Sequence, residues 1–200
     1  DDIAAPDWIA DGSRLIVQGL APGDSEFTIH SVDAETGART QLTTSEEGDA
    51  YPRWSRIDSR VYFVRTRARR GNRFSDIMSV AHRGGETPEV VQRNVADDGF
   101  TFTNSGGSIV YFDPESNRLI QQSLFEPEPR MIGGSGDRSP AFLANNLEMV
   151  VVRQGLDDDS EVALVEIGGP IVRRLTDDEE GNFDPDVSSV DHSVIDISGE

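Results

Sequence analysis

The apolar residues of the chain come in short bursts separated by polar turns, and none of the bursts has helical spacing. Residues 60–64, 108–112 and 148–152 read RVYFV, SIVYF and EMVVV, rich in the β-branched and aromatic side chains that suit a buried pleated strand. Each follows a reversal signal: Asp58-Ser59, Gly106-Gly107 and Asn145-Asn146, with Asp11-Gly12 and Asp191-His192 in the same relative place elsewhere. Gly, Asn and Asp tolerate the left-handed backbone that a tight hairpin needs. A third run follows at 27–32, 76–80, 118–122 and 161–165, and its alternation predicts a strand in a sheet sandwiched between neighbouring sheets. A glycine-bearing turn such as Thr36-Gly37, Gly84-Gly85 or Gly168-Gly169 then leads into a fourth strand carrying Gln41-Leu42-Thr43 or Arg174-Leu175-Thr176. No stretch longer than about ten residues combines a 3.6 period with caps, so no helix is predicted.

The four-strand pattern is itself repeated. Sliding Pro52-Arg53-Trp54-Ser55 and the residues after it along the chain brings them over Pro6-Asp7-Trp8, Phe100-Thr101-Phe102, Pro140-Ala141-Phe142 and Pro185-Asp186-Val187. The starts at 6, 52, 100, 140 and 185 are 46, 48, 40 and 45 residues apart, a spacing that suits propeller blades. Leu42-Thr43 and Leu175-Thr176 both lie ten residues before the proline that follows them, and Gly48 and Gly181 both lie four before it. A single four-stranded sheet leaves both faces bare, so blades stack radially and each covers its neighbour. The expected fold is therefore all-β: one β-propeller domain or propeller segment over residues 1–200, with four full blades and a partial fifth. Trp8, Trp54, Phe102, Phe142 and Val187 share one phase and are expected to pack between blades, the alternative being an aromatic ring at a ligand mouth. The fifth repeat contains only two strands, so the chain is expected to belong to a propeller of roughly six to eight blades or to close by self-association with a second copy.

The string Pro52-x-Trp54-Ser55, with Asp58-Ser59-Arg60-Val61-Tyr62-Phe63 and Asp76-Ile77-Met78 after it and Leu42-Thr43 and Gly48 before it, resembles the TolB-like propeller repeat. That repeat has the consensus LT…G…PxWSPDGxxIxFxSxRxGxxxIY. The run Arg65-Thr66-Arg67-Ala68-Arg69-Arg70-Gly71 is similar to the arginine-bearing segment of the family. The third and fourth repeats depart from Pro-x-Trp and are aligned by phase more than by letters. The resemblance implies a non-enzymatic binding module that presents blade loops to a protein or peptide in the bacterial periplasm, on the cell envelope or outside the cell. Propellers of this kind are also similar to the lid of the prolyl oligopeptidase family, which implies the alternative of an accessory domain in a larger hydrolase.

Charge and composition narrow the chemistry. The formal charge is −19, with 37 acidic side chains against 18 basic ones, all arginine. So negative a surface repels nucleic acid and anionic lipid, and no apolar run approaches the length of a membrane span. The first eight residues carry no basic or apolar leader pattern. With no cysteine there is no disulfide, thiolate zinc site or cysteine nucleophile, and with no lysine there is no Schiff base. Gly133-Gly134-Ser135-Gly136-Asp137 misses the last glycine of a serine-hydrolase elbow, and His30, His82 and His192 fall at different phases, so no enzymatic motif or cofactor site emerges.

Two features remain as candidate sites. The arginines Arg65, Arg67, Arg69, Arg70 and Arg73 run against the sign of the chain and suit bidentate capture of acidic groups on a partner, or else neutralise acidic loops of the same propeller. The oxygen-rich loops with Asp157, Asp158, Asp159, Asp184 and Asp186 are candidate calcium ligands, although neither has EF-hand spacing and both also read as solvated acidic loops.

Overall fold

Local turn chemistry sets the strand ends. The computed structural model describes residues 2–20, 25–44, 47–69, 72–126, 128–145, 147–154, 160–176 and 185. Asp11, Asp33, Asp58, Asp113 and Asn145 each accept backbone N–H groups two or three residues ahead through a side-chain oxygen. The chain reverses at these Asx turns, with Gly12 and Ser59 in the left-handed region at φ 70° and 58°.

The strands so delimited form four antiparallel sheets, each a simple meander. The first blade is β1 (Asp2–Trp8), β2 (Arg14–Leu20), β3 (Thr28–Asp33) and β4 (Arg39–Gln41). The second is β5 (Gly48–Ser55), β6 (Arg60–Arg69), β7 (Asn72–Ala81) and β8 (Glu89–Val95). The third is β9 (Phe100–Phe102), β10 (Ser108–Asp113), β11 (Arg118–Ser123) and β12 (Arg130–Ile132). The fourth is β13 (Asp137–Phe142), β14 (Glu148–Gln154), β15 (Ser160–Glu166) and β16 (Ile171–Arg174). Among the described residues there is no helix. The fifth repeat lies outside the described residues apart from Pro185, and Val187 with it.

The period-two alternation of the middle strands welds the blades together. On β6, Val61 and Phe63 join Ile16, Ile29 and Leu42 of the first blade, while Tyr62 and Val64 join Ile109, Tyr111 and Ile120 of the third. On β10 the same split sends Val110 and Phe112 to the fourth blade, against Met149, Val151 and Val165. Both faces of a middle strand are thus core, which is why these runs read as continuous apolar bursts. Burying a side chain such as Phe63 stabilises the fold by roughly 1.5–3 kcal/mol.

The Leu-Thr pairs lie one step beyond the fourth strands rather than inside them, and their recurrence has a hydrogen-bond cause. Thr43 Oγ1 accepts the Ile29 N–H at 3.0 Å, and Thr176 Oγ1 accepts the Val162 N–H at 2.9 Å, both across 14 residues. The adjacent Leu42 and Leu175 N–H groups return to the Ile29 and Val162 carbonyls at 2.8 Å.

A second recurring device is a bulge in the innermost strand. The register of β1, β5 and β13 shifts by one residue between Ala4 and Asp7, Ala50 and Arg53, and Arg138 and Ala141. Ala5, Tyr51 and Ser139 carry the extra turn of backbone at φ 48°, 52° and 47°, each immediately before the proline that begins a repeat, and Gly99 stands in the same place before Phe100 at φ 93°. Only the third repeat uses glycine there, so in the other three a side chain tolerates the left-handed region.

Candidate functional site

The four bulged or shortened inner strands, β1, β5, β9 and β13, come together around one channel. An upper cavity of about 380 Å³ adjoins a lower cavity of about 670 Å³, with Asp7, Arg53 and Thr101 shared between them. These three residues, with Ala141, occupy the variable position just before the in-phase aromatic residue of each described repeat. Repetition makes the frame, and the letter that differs in each copy faces the channel. Pro185 lines the lower cavity beside Pro6 and Pro140.

Trp8, Trp54, Phe102 and Phe142 all line the upper cavity, so this phase combines the expected packing between blades, at Trp54, Phe102 and Phe142, with the alternative of an aromatic-lined mouth. Phe142 is buried at 6% exposure and belongs to the core between the third and fourth blades, and Trp54 and Phe102 pack partly against theirs. Trp8 is 53% exposed and joins no core cluster. Trp54, Phe102 and Phe142 thus serve a blade interface and the channel together. The Phe102 ring meets Tyr62 and Phe100 edge-on at 5.2 and 5.8 Å, and Trp54 meets His82 edge-on at 5.1 Å.

Polar contacts stitch the blades around the same axis. Asp7 Oδ2 accepts the Trp54 N–H at 2.7 Å, and Gln18 Oε1 accepts the Tyr51 N–H at 2.9 Å, tying the first blade to the second. Arg138 donates to Asp98 at 3.0 Å and lies over the Phe112 ring at 4.0 Å, tying the fourth to the third. Burial pushes the Asp7 carboxyl above the usual carboxylate range, opposed by the Trp54 N–H and by the charges of Arg53 and Arg56. Burial likewise raises Asp98, opposed by Arg138.

The predicted arginines divide. Arg65 forks onto Asp49, at 2.7 and 2.9 Å, and Asp49 is fully buried. Arg67 pairs with buried Asp76 at 2.6 Å, and Arg93 reaches the same carboxylate at 3.4 Å. Arg73 is exposed, at the opposite end of the second blade from Arg56, while Arg70 and the Arg69 side chain lie outside the described residues. The fourth blade repeats the first of these pairs: Arg153 forks onto buried Asp137 across the same 16 residues that separate Asp49 and Arg65. That offset is legible once the repeats are aligned. Asp157, Asp158, Asp159, Asp184 and Asp186 lie outside the described residues, and among the described residues no group of three His, Asp or Glu side chains is placed to hold a metal.

Sequence reading passed over Asp7, Arg53 and Arg56, because a consensus weights the letters that repeat. For Asp7 and Arg53 the signal is divergence: Asp, Arg, Thr and Ala at one phase of otherwise matching copies.

No family model and no curated protein matches the sequence. Solved structures do match the fold. TolB from Acinetobacter baumannii superposes with a TM-score of 0.66 at 18% identity, over 88% of this chain and 44% of that one. The putative TolB from Agrobacterium tumefaciens superposes with a TM-score of 0.73 at 15% identity, over 94% and 67%. An acylaminoacyl peptidase solved in complex with Z-Gly-Gly-Phe-chloromethyl ketone gives 0.59 at 11% identity, over 84% and 32%. The chain thus spans less than half of the first of these proteins and about a third of the peptidase. In-phase repeats, blades of four antiparallel strands and cores shared by adjacent sheets all agree with these superpositions: the fold of this chain is a TolB-like β-propeller.

Proposed function

We propose that the chain is a non-enzymatic binding module that receives a protein or peptide partner of the cell envelope at the upper mouth of the channel. The observation that carries this reading is the conjunction of four in-phase aromatic residues with Asp7, Arg53 and Arg56 in one cavity. Apolar walls with a few placed polar groups are the usual make-up of a recognition pocket. Exposed apolar residues extend the surface around that mouth, with Ile57 at 42% and Leu147 at 70% exposure in the turns that follow β5 and β13. Panning a random dodecapeptide library on the protein tests the reading. Peptides that quench the tryptophan fluorescence and fail to bind the Phe142→Ala or Trp54→Ala variants are expected; recovery of no peptide would count against it.

The likeness to a peptidase propeller favours a second reading, in which this domain guards a hydrolase elsewhere in a longer protein. Peptidase activity of the full gene product, lost when a serine nucleophile outside these 200 residues is replaced, would establish it.

A further inference from the structure

The upper cavity is positive in a molecule that is strongly negative. Its charged lining consists of Asp7, Arg53 and Arg56, against a formal charge of −19 for the chain. Asp7 is occupied by the Trp54 N–H at 2.7 Å. Arg65, Arg67, Arg138 and Arg153 are each engaged by an aspartate of the propeller. Arg53 and Arg56 form no salt bridge or side-chain hydrogen bond among the described residues. In so acidic a chain, two guanidinium groups facing the single carboxylate of Asp7 leave an excess of one positive charge at this cavity. They stand at different depths: Arg53 at the junction of the two cavities, Arg56 only in the upper one.

We infer that this cavity captures the C-terminal carboxylate of a partner polypeptide, with the last side chain packed among the four in-phase aromatics. The proposal rests on the peptide-binding reading above and specifies its chemistry. A guanidinium fork matches a carboxylate in shape and charge. The choice of a chain end over an acidic side chain follows from the backbone that each brings. An internal segment has to enter and return, bringing two stretches of polar backbone that need partners, whereas an end brings a single stretch. A terminal aromatic or aliphatic residue then fills the space between Trp54, Phe102 and Phe142.

The test takes the best dodecapeptide from a library displayed with free C-termini and compares it, by calorimetry and tryptophan fluorescence, as the free acid and as the C-terminal amide. Trp8 and Trp54 are the two tryptophans of the chain and both line the cavity, so the optical signal reports on this site. The acid is expected to bind about tenfold or more tightly than the amide, a preference that collapses in Arg53→Gln and Arg56→Gln and is partly retained in Arg53→Lys. Arg56 lies in an exposed turn, so its variant keeps the test valid if Arg53→Gln unfolds, as thermal melts would reveal. Equal affinity for acid and amide, or an acid preference unchanged in Arg56→Gln and Arg53→Lys alike, would overturn the carboxylate proposal and leave the peptide-binding mouth standing. Recovery of peptides only from a library whose C-termini are fused and blocked would do the same, and recovery from neither library would overturn both.

Discussion

At Asp7 the needs of folding and of the channel pull apart. Its carboxylate is half-buried, and burial raises its affinity for protons above that of an exposed aspartate even though Trp54 donates to it. For an acid with a raised native pKa, the unfolded chain ionises first as pH climbs, so stability is lost through that window and stays lower above it. Asp7→Asn keeps an oxygen that accepts the Trp54 N–H and removes the charge. The variant is expected to melt above the wild type at pH 7, and the difference to vanish below the ordinary aspartate range near pH 3.8, as calorimetric melts across pH would show. The exposed turn aspartates behave in the opposite sense. Backbone and hydroxyl donors from Thr36 hold Asp33 low, and those from Ser13 hold Asp11 low, so the stability they lend is present above the ordinary range and lost as pH falls through their lowered values. Acid therefore relieves the channel while loosening the turns.

At the scale of strands and blades, the repeating letters each answer to a backbone need. Thr43 supplies a buried hydroxyl, at 1% exposure, to the Ile29 N–H. Thr43→Val preserves shape and orphans that donor, so a loss of about 1–3 kcal/mol in urea unfolding is expected. The buried carboxylates are more exacting. Removing Arg65 strands Asp49 without a counter-charge, at an expected cost of about 3–5 kcal/mol, and Arg153→Ala should do the same to Asp137. Replacing Asp49 and Arg65 together with apolar residues should recover most of the loss in the same denaturation measurement. These elements also mark how far sequence reading reaches. The four described blades, their strand order and their turns were legible because packing and turn chemistry use the same few residue types in every copy. The bulge in β1, β5 and β13 was not, since Ala5, Tyr51 and Ser139 carry no common letter to announce their left-handed backbone. The charged lining of the channel was missed for the opposite reason to the core: Asp7 and Arg53 stand where the letter fails to recur, and the arginine run that drew attention instead places Arg65 and Arg67 against Asp49 and Asp76 of their own blade.

At the scale of the whole molecule, the charge of −19 acts as a diffuse strain on a stack of sheets. Repulsion among surface carboxylates opposes compaction, and dissolved salt screens it over about 10 Å at 0.1 M. The two buried Asp–Arg forks are shielded from solvent and so lose less to screening than the surface charges do. The melting temperature is accordingly expected to rise as sodium chloride increases from about 10 mM to a few hundred millimolar, a trend read by circular dichroism. A melting temperature that fell over that range would mean that attractive surface pairs outweigh the repulsion. The prolines that open the repeats have one more consequence. Pro6 and Pro140 stand on inner strands whose free edges face the channel, and a proline offers no N–H with which another chain can continue a ladder. A polypeptide entering there is denied the role of an extra strand. It must be recognised by its side chains and its charge, which lets the pocket be respecified one residue at a time while every sheet around it stays the same.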